Sequence, residues 1–323
     1  MDSRLIFPER GVVTLQPHHA HDPKPDEVRV TTTLSLMSTG TENTVFTGAF
    51  SPTSVFAEYG ALPFSPGYVT VGVVDSVGAE VTDVQVGTRV FHREGHGSRF
   101  TLPRSRVTRI PEEVSDEEAV WTGIAKIALR AAIAAPFALA QDVVIVGGGP
   151  IGQMTVRWAA TAGCREITVV CPSNIRLEHA RAGGATALIR ARLGHDRLED
   201  VLGTRPSLVV DTTGSADVFA HLLGLAGDHA TVLLLGETGY PEKQHLTSDV
   251  MTKGLTITAV HDDHERHGGT SPALHHRILD LMAQKKFNCA GLISHRFPAG
   301  QAAEAYRLAN EQRAETMGIA FMW

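Results

Sequence analysis

The sequence predicts an α/β protein of two parts, a doubly wound parallel sheet and a smaller β-rich domain. Three observations carry this reading. At 323 residues the chain exceeds what one hydrophobic core usually serves, which favours two domains over one. Residues 1–120 hold short β-branched runs broken by Gly and Pro, whereas beyond about residue 120 apolar strands alternate with helix-like segments. Strands that are apolar along their whole length and separated by helices indicate a parallel sheet covered on both faces.

In the N-terminal part, runs 28–36, 69–77 and 88–91 read as strands. From Glu117 the period changes to helix, with Ile124, Ile127 and Ala131 at three- and four-residue spacing. The parallel sheet is then expected from 143–146, 167–170, 208–210, 232–235 and 255–260. A helix at 274–285, a strand at 292–297 and a helix at 299–310 close the chain.

Composition narrows the function. Lys and Arg total 29 against 35 Asp and Glu, and the resulting net charge of −6 gives no pull toward nucleic acid or an anionic membrane surface. The longest apolar stretch, 124–140, is broken by Lys126, Arg130 and Pro136 and falls short of the ~20 apolar residues a spanning helix needs. Residues 1–10 have no apolar core and read as no signal peptide, so a soluble cytoplasmic protein is expected. Cys164, Cys171 and Cys289 have no CxxC spacing, which suits a reducing compartment and excludes a four-cysteine zinc site by arithmetic.

The strongest motif is Gly147-x-Gly149-x-x-Gly152, directly after an apolar strand and opening a helix with Gln153 and Met154. The first glycine permits a tight turn, the second lets backbone approach a pyrophosphate, and the third lets helix and strand pack closely. Pro150 and Ile151 complete the loop. The next strand ends at Cys171, 19 residues after Gly152, close to the ~20-residue offset where an NAD-binding chain places an acid for the ribose 2′-hydroxyl. A thiol cannot accept those bonds as a carboxylate would. Ser173, Asn174 and Arg176 follow, a hydroxyl, an amide and a guanidinium suited to a 2′-phosphate, so NADP(H) is favoured over NAD(H). Arg176 could equally stack on adenine or face solvent.

With these motifs the sequence resembles the medium-chain dehydrogenases/reductases, which include zinc alcohol, polyol and threonine dehydrogenases and zinc-free quinone reductases. The resemblance rests on Val77-Gly78 through Val81 to Gly87-Thr88-Arg89-Val90, on Asp211-Thr212-Thr213-Gly214 after an apolar strand, and on segments 253–257 and 292–297. It implies a GroES-like catalytic domain at 1–122, a Rossmann dinucleotide-binding domain at 123–287, and a return to the catalytic domain at 288–323. It also implies Thr213 and Gly236 as cofactor contacts, and a homodimer.

The departures from the family pattern bear on the chemistry. Where zinc members carry Cys-Gly-x-Asp/Glu, this chain has Thr39-Gly40-Thr41-Glu42, and where they carry Gly-His-Glu it has Gly67-Tyr68-Val69. The four-cysteine lobe is replaced by the segment His92 to His96. A catalytic zinc needs three His, Cys or carboxylate ligands, so neither a catalytic nor a structural zinc is expected. A rebuilt site of Glu42, His92 and His96 is the alternative.

The resemblance puts Tyr68 where a metal-binding histidine would project, as a proton donor or an aromatic wall. Thr39 would orient substrate or touch the nicotinamide ribose, and Glu42 would contribute a charge or form a structural salt bridge. His92 and His96, read as a loop, are proton-shuttle candidates or solvated imidazoles. Lys126, near the third metal-ligand region, could lower the Tyr68 pKa or sit at the surface. The polar run 261–267 is a metal or substrate loop, or simply solvated. The six arginines between 89 and 109 imply an anionic substrate if they line the site, or a solvated face if they do not.

The function expected is a zinc-independent, NADP(H)-dependent oxidoreductase that interconverts a secondary alcohol and a ketone on a small-molecule substrate, with natural-product metabolism as one setting. An enone or quinone reductase, in which Tyr68 protonates the enolate, is the alternative within the superfamily. A non-catalytic nucleotide-binding sensor or structural subunit is the alternative outside it.

Overall fold

A computed structural model describes residues 2–192, 205–264 and 269–323. The chain divides into two compact units: Met1–Gly48, Gly60–Lys126 and Gly269–Trp323 form one, and Ala49–Tyr59 with Ile127–Gly268 the other.

The second unit holds a six-stranded sheet in which every pairing is parallel. Across the sheet the strands run Ala187–Ile189, Glu166–Val170, Asp142–Val146, Leu208–Asp211, Thr231–Leu234 and Thr256–Ala259. Asp142–Val146 is the earliest of these in the chain and lies centrally, with Val144 paired to Thr168 on one side and Val209 on the other. The direction of winding therefore reverses at its carboxyl end, the place where sheets of this kind bind ligands. Val144, Val146, Val170, Val209 and Val232 pack with Phe219, Leu222 and Leu223 of the helix Ala216–Leu225, which accounts for strands apolar along their length.

The first unit is built on a sheet ordered Ile293–Pro298, Gly318–Met322, Glu27–Leu36, Thr70–Val77, Arg89–His92 and Val107–Arg109, with Arg99–Pro103 also paired to Glu27–Leu36. Only its first pair is parallel. Val28, Val30, Val74, Val90, Leu102 and Val107 form a core there.

The boundaries differ from those read in the sequence. The helix Ser271–Ala283 groups with the first unit, because its apolar face is buried and His275 meets the Phe91 ring edge-on at 4.9 Å. Segment 49–59 groups with the second, where Ser51 donates its backbone N–H to Gly239 O and Ser54 Oγ donates to Thr238 O. The helical run after residue 115 is two helices, Asp116–Ala119 and Thr122–Ala134, the first opened by a capping box between Ser115 and Glu118. No helix among the described residues is long and apolar enough to cross a membrane.

Candidate functional site

The glycine turn leaves the strand Asp142–Val146 at Gly147, whose φ of +104° lies in the region that glycine tolerates best. A Cβ on Gly152 would stand 2.0 Å from Gly147 O, and one on Gly148 would stand 2.9 Å from Cys171 Sγ. A side chain at Gly152 would have to open the turn, and one at Gly148 would have to displace Cys171. The helix Pro150–Thr161 starts with Gly149 at its N-cap and Pro150 in its first turn, and no side chain caps it. Its first-turn N–H groups and its dipole thus favour an anion, such as a pyrophosphate.

Gln153 braces this turn, a role no sequence pattern revealed. Its Nε2 donates to Gly148 O at 3.0 Å and to Arg176 O at 2.9 Å. Ser173 caps the next helix, Asn174–Ala182, by accepting from the Arg176 N–H, and Asn174 is exposed. The Arg176 guanidinium folds back toward the turn, its Nη1 3.7 Å from where a Cβ on Gly149 would lie. Cys171 is buried against Gly148, so it shapes the turn and presents no polar atom to a ribose.

At the same sheet edge, Thr212 Oγ1 donates to Val146 O and Gly147 O, at 2.9 and 3.1 Å. Thr213 is exposed and gives both its N–H and its hydroxyl to Asp211 Oδ1, at 2.8 and 2.7 Å. Burial pushes the Asp211 carboxyl up from its ordinary pKa. Gly236 passes so close that a Cβ there would meet Gly214 N at 2.4 Å. Gly147, Gly149, Gly152, Thr213 and Gly236 therefore gather at the carboxyl ends of neighbouring strands, with Pro150 and Ile151 at the helix start.

In the first unit, Thr39 is buried at the start of the helix Thr39–Thr47, and Glu42 lies in its first turn. Both oxygens of Glu42 are engaged: Ser38 donates its backbone N–H to Oε1 at 2.6 Å, His96 Nε2 lies 3.1 Å from Oε2, and the Tyr306 hydroxyl donates to Oε2. Burial first, and the Glu42 charge second, hold the Tyr306 hydroxyl well above the usual phenol pKa, so it remains a donor. His96 Nδ1 meets Ser35 Oγ at 2.8 Å, and that oxygen also accepts from Trp323 Nε1 at 2.9 Å. Glu42 and His96 thus form a closed, buried polar network.

Tyr68 is half-buried, and its Oη shares a hydrogen bond of 2.6 Å with Ser38 Oγ. The Arg93 guanidinium lies over the phenol, 4.7 Å from the ring centroid. Lys126 is buried and donates from Nζ to Ser271 Oγ at 3.0 Å. The sequence pointed to neither Ser38, Arg93 nor Tyr306 as a partner in this region. Tyr306 is 264 positions from Glu42, so no local spacing could reveal it.

His92 requires a correction. It is not in a loop but ends the strand Arg89–His92, with no accessible surface. Burial, reinforced by the charge of Arg106, lowers its pKa to about 3. It is a neutral core imidazole at physiological pH and does not shuttle protons to solvent.

Side-chain pairing bears on one further expectation. The arginine-rich run is largely neutralised: Arg89 pairs with Asp116, Arg99 with Asp75, Arg104 with Asp83 and Arg106 with Glu94. Among the described residues no three His, Cys, Asp or Glu side chains are grouped to hold a metal. In the polar run 261–267, Glu265, Arg266 and His267 lie outside the described residues.

Residues 150–263 match the model of the family described as zinc-binding dehydrogenase. An L-threonine 3-dehydrogenase from Anaeromyxobacter sp. (strain Fw109-5) is 27% identical over 280 residues, 76% of this chain and 78% of that protein. Among solved structures, galactitol-1-phosphate dehydrogenase from Escherichia coli superposes with a TM-score of 0.83 at 20% identity, covering 99% of this chain and 100% of that one. A Sinorhizobium meliloti 1021 protein crystallised with NADP bound superposes with a TM-score of 0.82 at 19% identity, covering 100% of this chain and 99% of that one.

Proposed function

We propose that this NAD(P)-dependent oxidoreductase, which is similar to zinc-binding dehydrogenases, catalyses a zinc-independent, NADP(H)-dependent interconversion of a secondary alcohol and a ketone. The observation that carries this reading is the exchange of a metal-ligand set for a phenol. Of the residues standing in the family's zinc positions, Thr39 and Tyr68 are poor zinc ligands. In the alternative set, Glu42 has its oxygens taken up by Ser38, His96 and Tyr306, and His92 is buried at the end of the strand Arg89–His92. Zinc does not fit this donor set.

A dinucleotide does fit the other unit. The side-chain-free turn at Gly147, Gly148 and Gly152 would take the pyrophosphate against the uncapped helix. Arg176, with Ser173 beside it, would hold the 2′-phosphate of NADP. When bound, the nicotinamide supplies or accepts the hydride.

The protein's own contribution is the proton. Reduction of a ketone builds negative charge on oxygen, which a positioned acid must meet. A phenol, titrating near ~10 in water, is protonated at neutral pH and suited to this task. Tyr68 donates that proton to the substrate oxygen in reduction and receives it in oxidation. The L-threonine 3-dehydrogenase among its relatives is consistent with a hydroxyl-bearing substrate.

The test is a fluorescence titration with NADPH and NADH, followed by cofactor oxidation with a saturated ketone and an enone. NADPH is expected to bind at least about tenfold tighter, and Arg176→Ala to erase the difference. Equal affinity for both cofactors in the unaltered chain would contradict the NADP reading. Turnover of the enone alone would move the assignment to an enone reductase, and binding without turnover of any carbonyl to a nucleotide sensor.

A further inference from the structure

The Tyr68 phenol is held from two sides by residues that the reaction as described does not use. Its Oη meets Ser38 Oγ at 2.6 Å, and Arg93 covers its ring at 4.7 Å. Ser38 is itself pinned: it is buried, and its backbone N–H is given to Glu42 Oε1 at 2.6 Å. Glu42 in turn is fixed by His96 and Tyr306. The hydroxyl pair therefore has a buried inner member, its backbone tied to Glu42, and a half-exposed outer one, an arrangement suited to a proton donor and its support.

We propose that Ser38 and Arg93 are positioning residues that tune Tyr68 as the proton donor, an inference that rests on the reaction proposed above. In reduction, the phenol O–H bond breaks as an O–H bond forms on the substrate oxygen. The Ser38 hydroxyl turns to donate its hydrogen bond to the phenolate, keeping its own proton, and the positive Arg93 faces the negative ring. Solvent water then returns a proton to the half-exposed Tyr68. Both residues stabilise the phenolate. The other titratable groups on this side, Glu42, His96 and Tyr306, form the network behind Ser38, where the Glu42 charge opposes the effect from the far side of the serine.

The experiment uses the full chain with Ser38→Ala, Ser38→Thr, Arg93→Gln and Tyr68→Phe. Tyr68 is one of four tyrosines, so its titration is read as the ultraviolet difference between each protein and the same protein carrying Tyr68→Phe. Ser38→Ala is expected to raise the Tyr68 titration by about one unit and lower kcat roughly 10- to 100-fold, as befits loss of a hydrogen bond to a charged oxygen. KM should stay within about twofold. Ser38→Thr, which keeps the hydroxyl, should restore most of both, and Arg93→Gln should raise the titration in the same direction. If Ser38→Ala does not fold, Arg93→Gln and Ser38→Thr carry the same reading. A Tyr68 titration unmoved by Ser38→Ala and Arg93→Gln overturns this inference and leaves the proposed reaction standing. Undiminished turnover by Tyr68→Phe overturns both.

Discussion

A carboxylate taken wholly out of water persists only where its oxygens are met, and Glu42 is met by a backbone N–H, an imidazole and a phenol. Removing one member of such a buried set leaves the others unsatisfied. Glu42→Ala is expected to destabilise the fold by roughly 3–5 kcal/mol in denaturant unfolding, and a loss below about 1 kcal/mol would show that the network is not closed as described. His92 makes a separate demand on pH. Its folded pKa of about 3 lies below its ordinary value of 6.5, so the unfolded chain takes up this proton first. Stability tied to this group is intact above pH 6.5 and is lost progressively as pH falls toward 3. His92→Phe is expected to flatten the acid limb of stability over that window, measured by denaturation between pH 7 and pH 4; an unchanged slope would contradict the burial. Neither feature was legible in the sequence. A histidine between arginines reads the same whether it faces solvent or core, and two of the three partners of Glu42 lie 54 and 264 positions away.

The turn after Asp142–Val146 was legible because its constraints are local. Tight turn, close approach and helix packing each demand glycine at a fixed offset, and the approach of Gly152 to Gly147 O is too close for any side chain. Gly152→Ala is therefore expected to weaken NADPH binding by more than about tenfold in a fluorescence titration while the parallel-sheet unit still folds; unchanged affinity would mean that the turn is not where the dinucleotide lies. The central strands were equally readable, since burial on both faces makes them largely apolar and rich in valine and isoleucine. Ala187–Ile189 was not, because three half-buried residues at the sheet edge carry no periodic signal. The affiliation of Ser271–Ala283 was hidden for another reason: an amphipathic helix announces an apolar face but not the surface that covers it.

For the molecule as a whole, length and the change in texture near residue 120 sufficed for the two-part architecture, since a long chain must divide its core. They did not reveal that segment 49–59 counts with the parallel-sheet unit, because that grouping depends on hydrogen bonds to residues 238 and 239. Four of the six arginines between 89 and 109 have carboxylate partners that the sequence does not show, while Arg93 lies over the Tyr68 ring. The zinc-independent reaction proposed for this chain rests on a phenol supported by a serine and an arginine, near a carboxylate already committed to its own neighbours. The most direct measurement is NADPH-dependent ketone reduction by purified protein, before and after exhaustive chelation, with the zinc content determined on the same samples. Turnover that survives chelation with far less than one zinc per chain is the result expected. Stoichiometric zinc whose removal abolishes turnover and whose return restores it would contradict it.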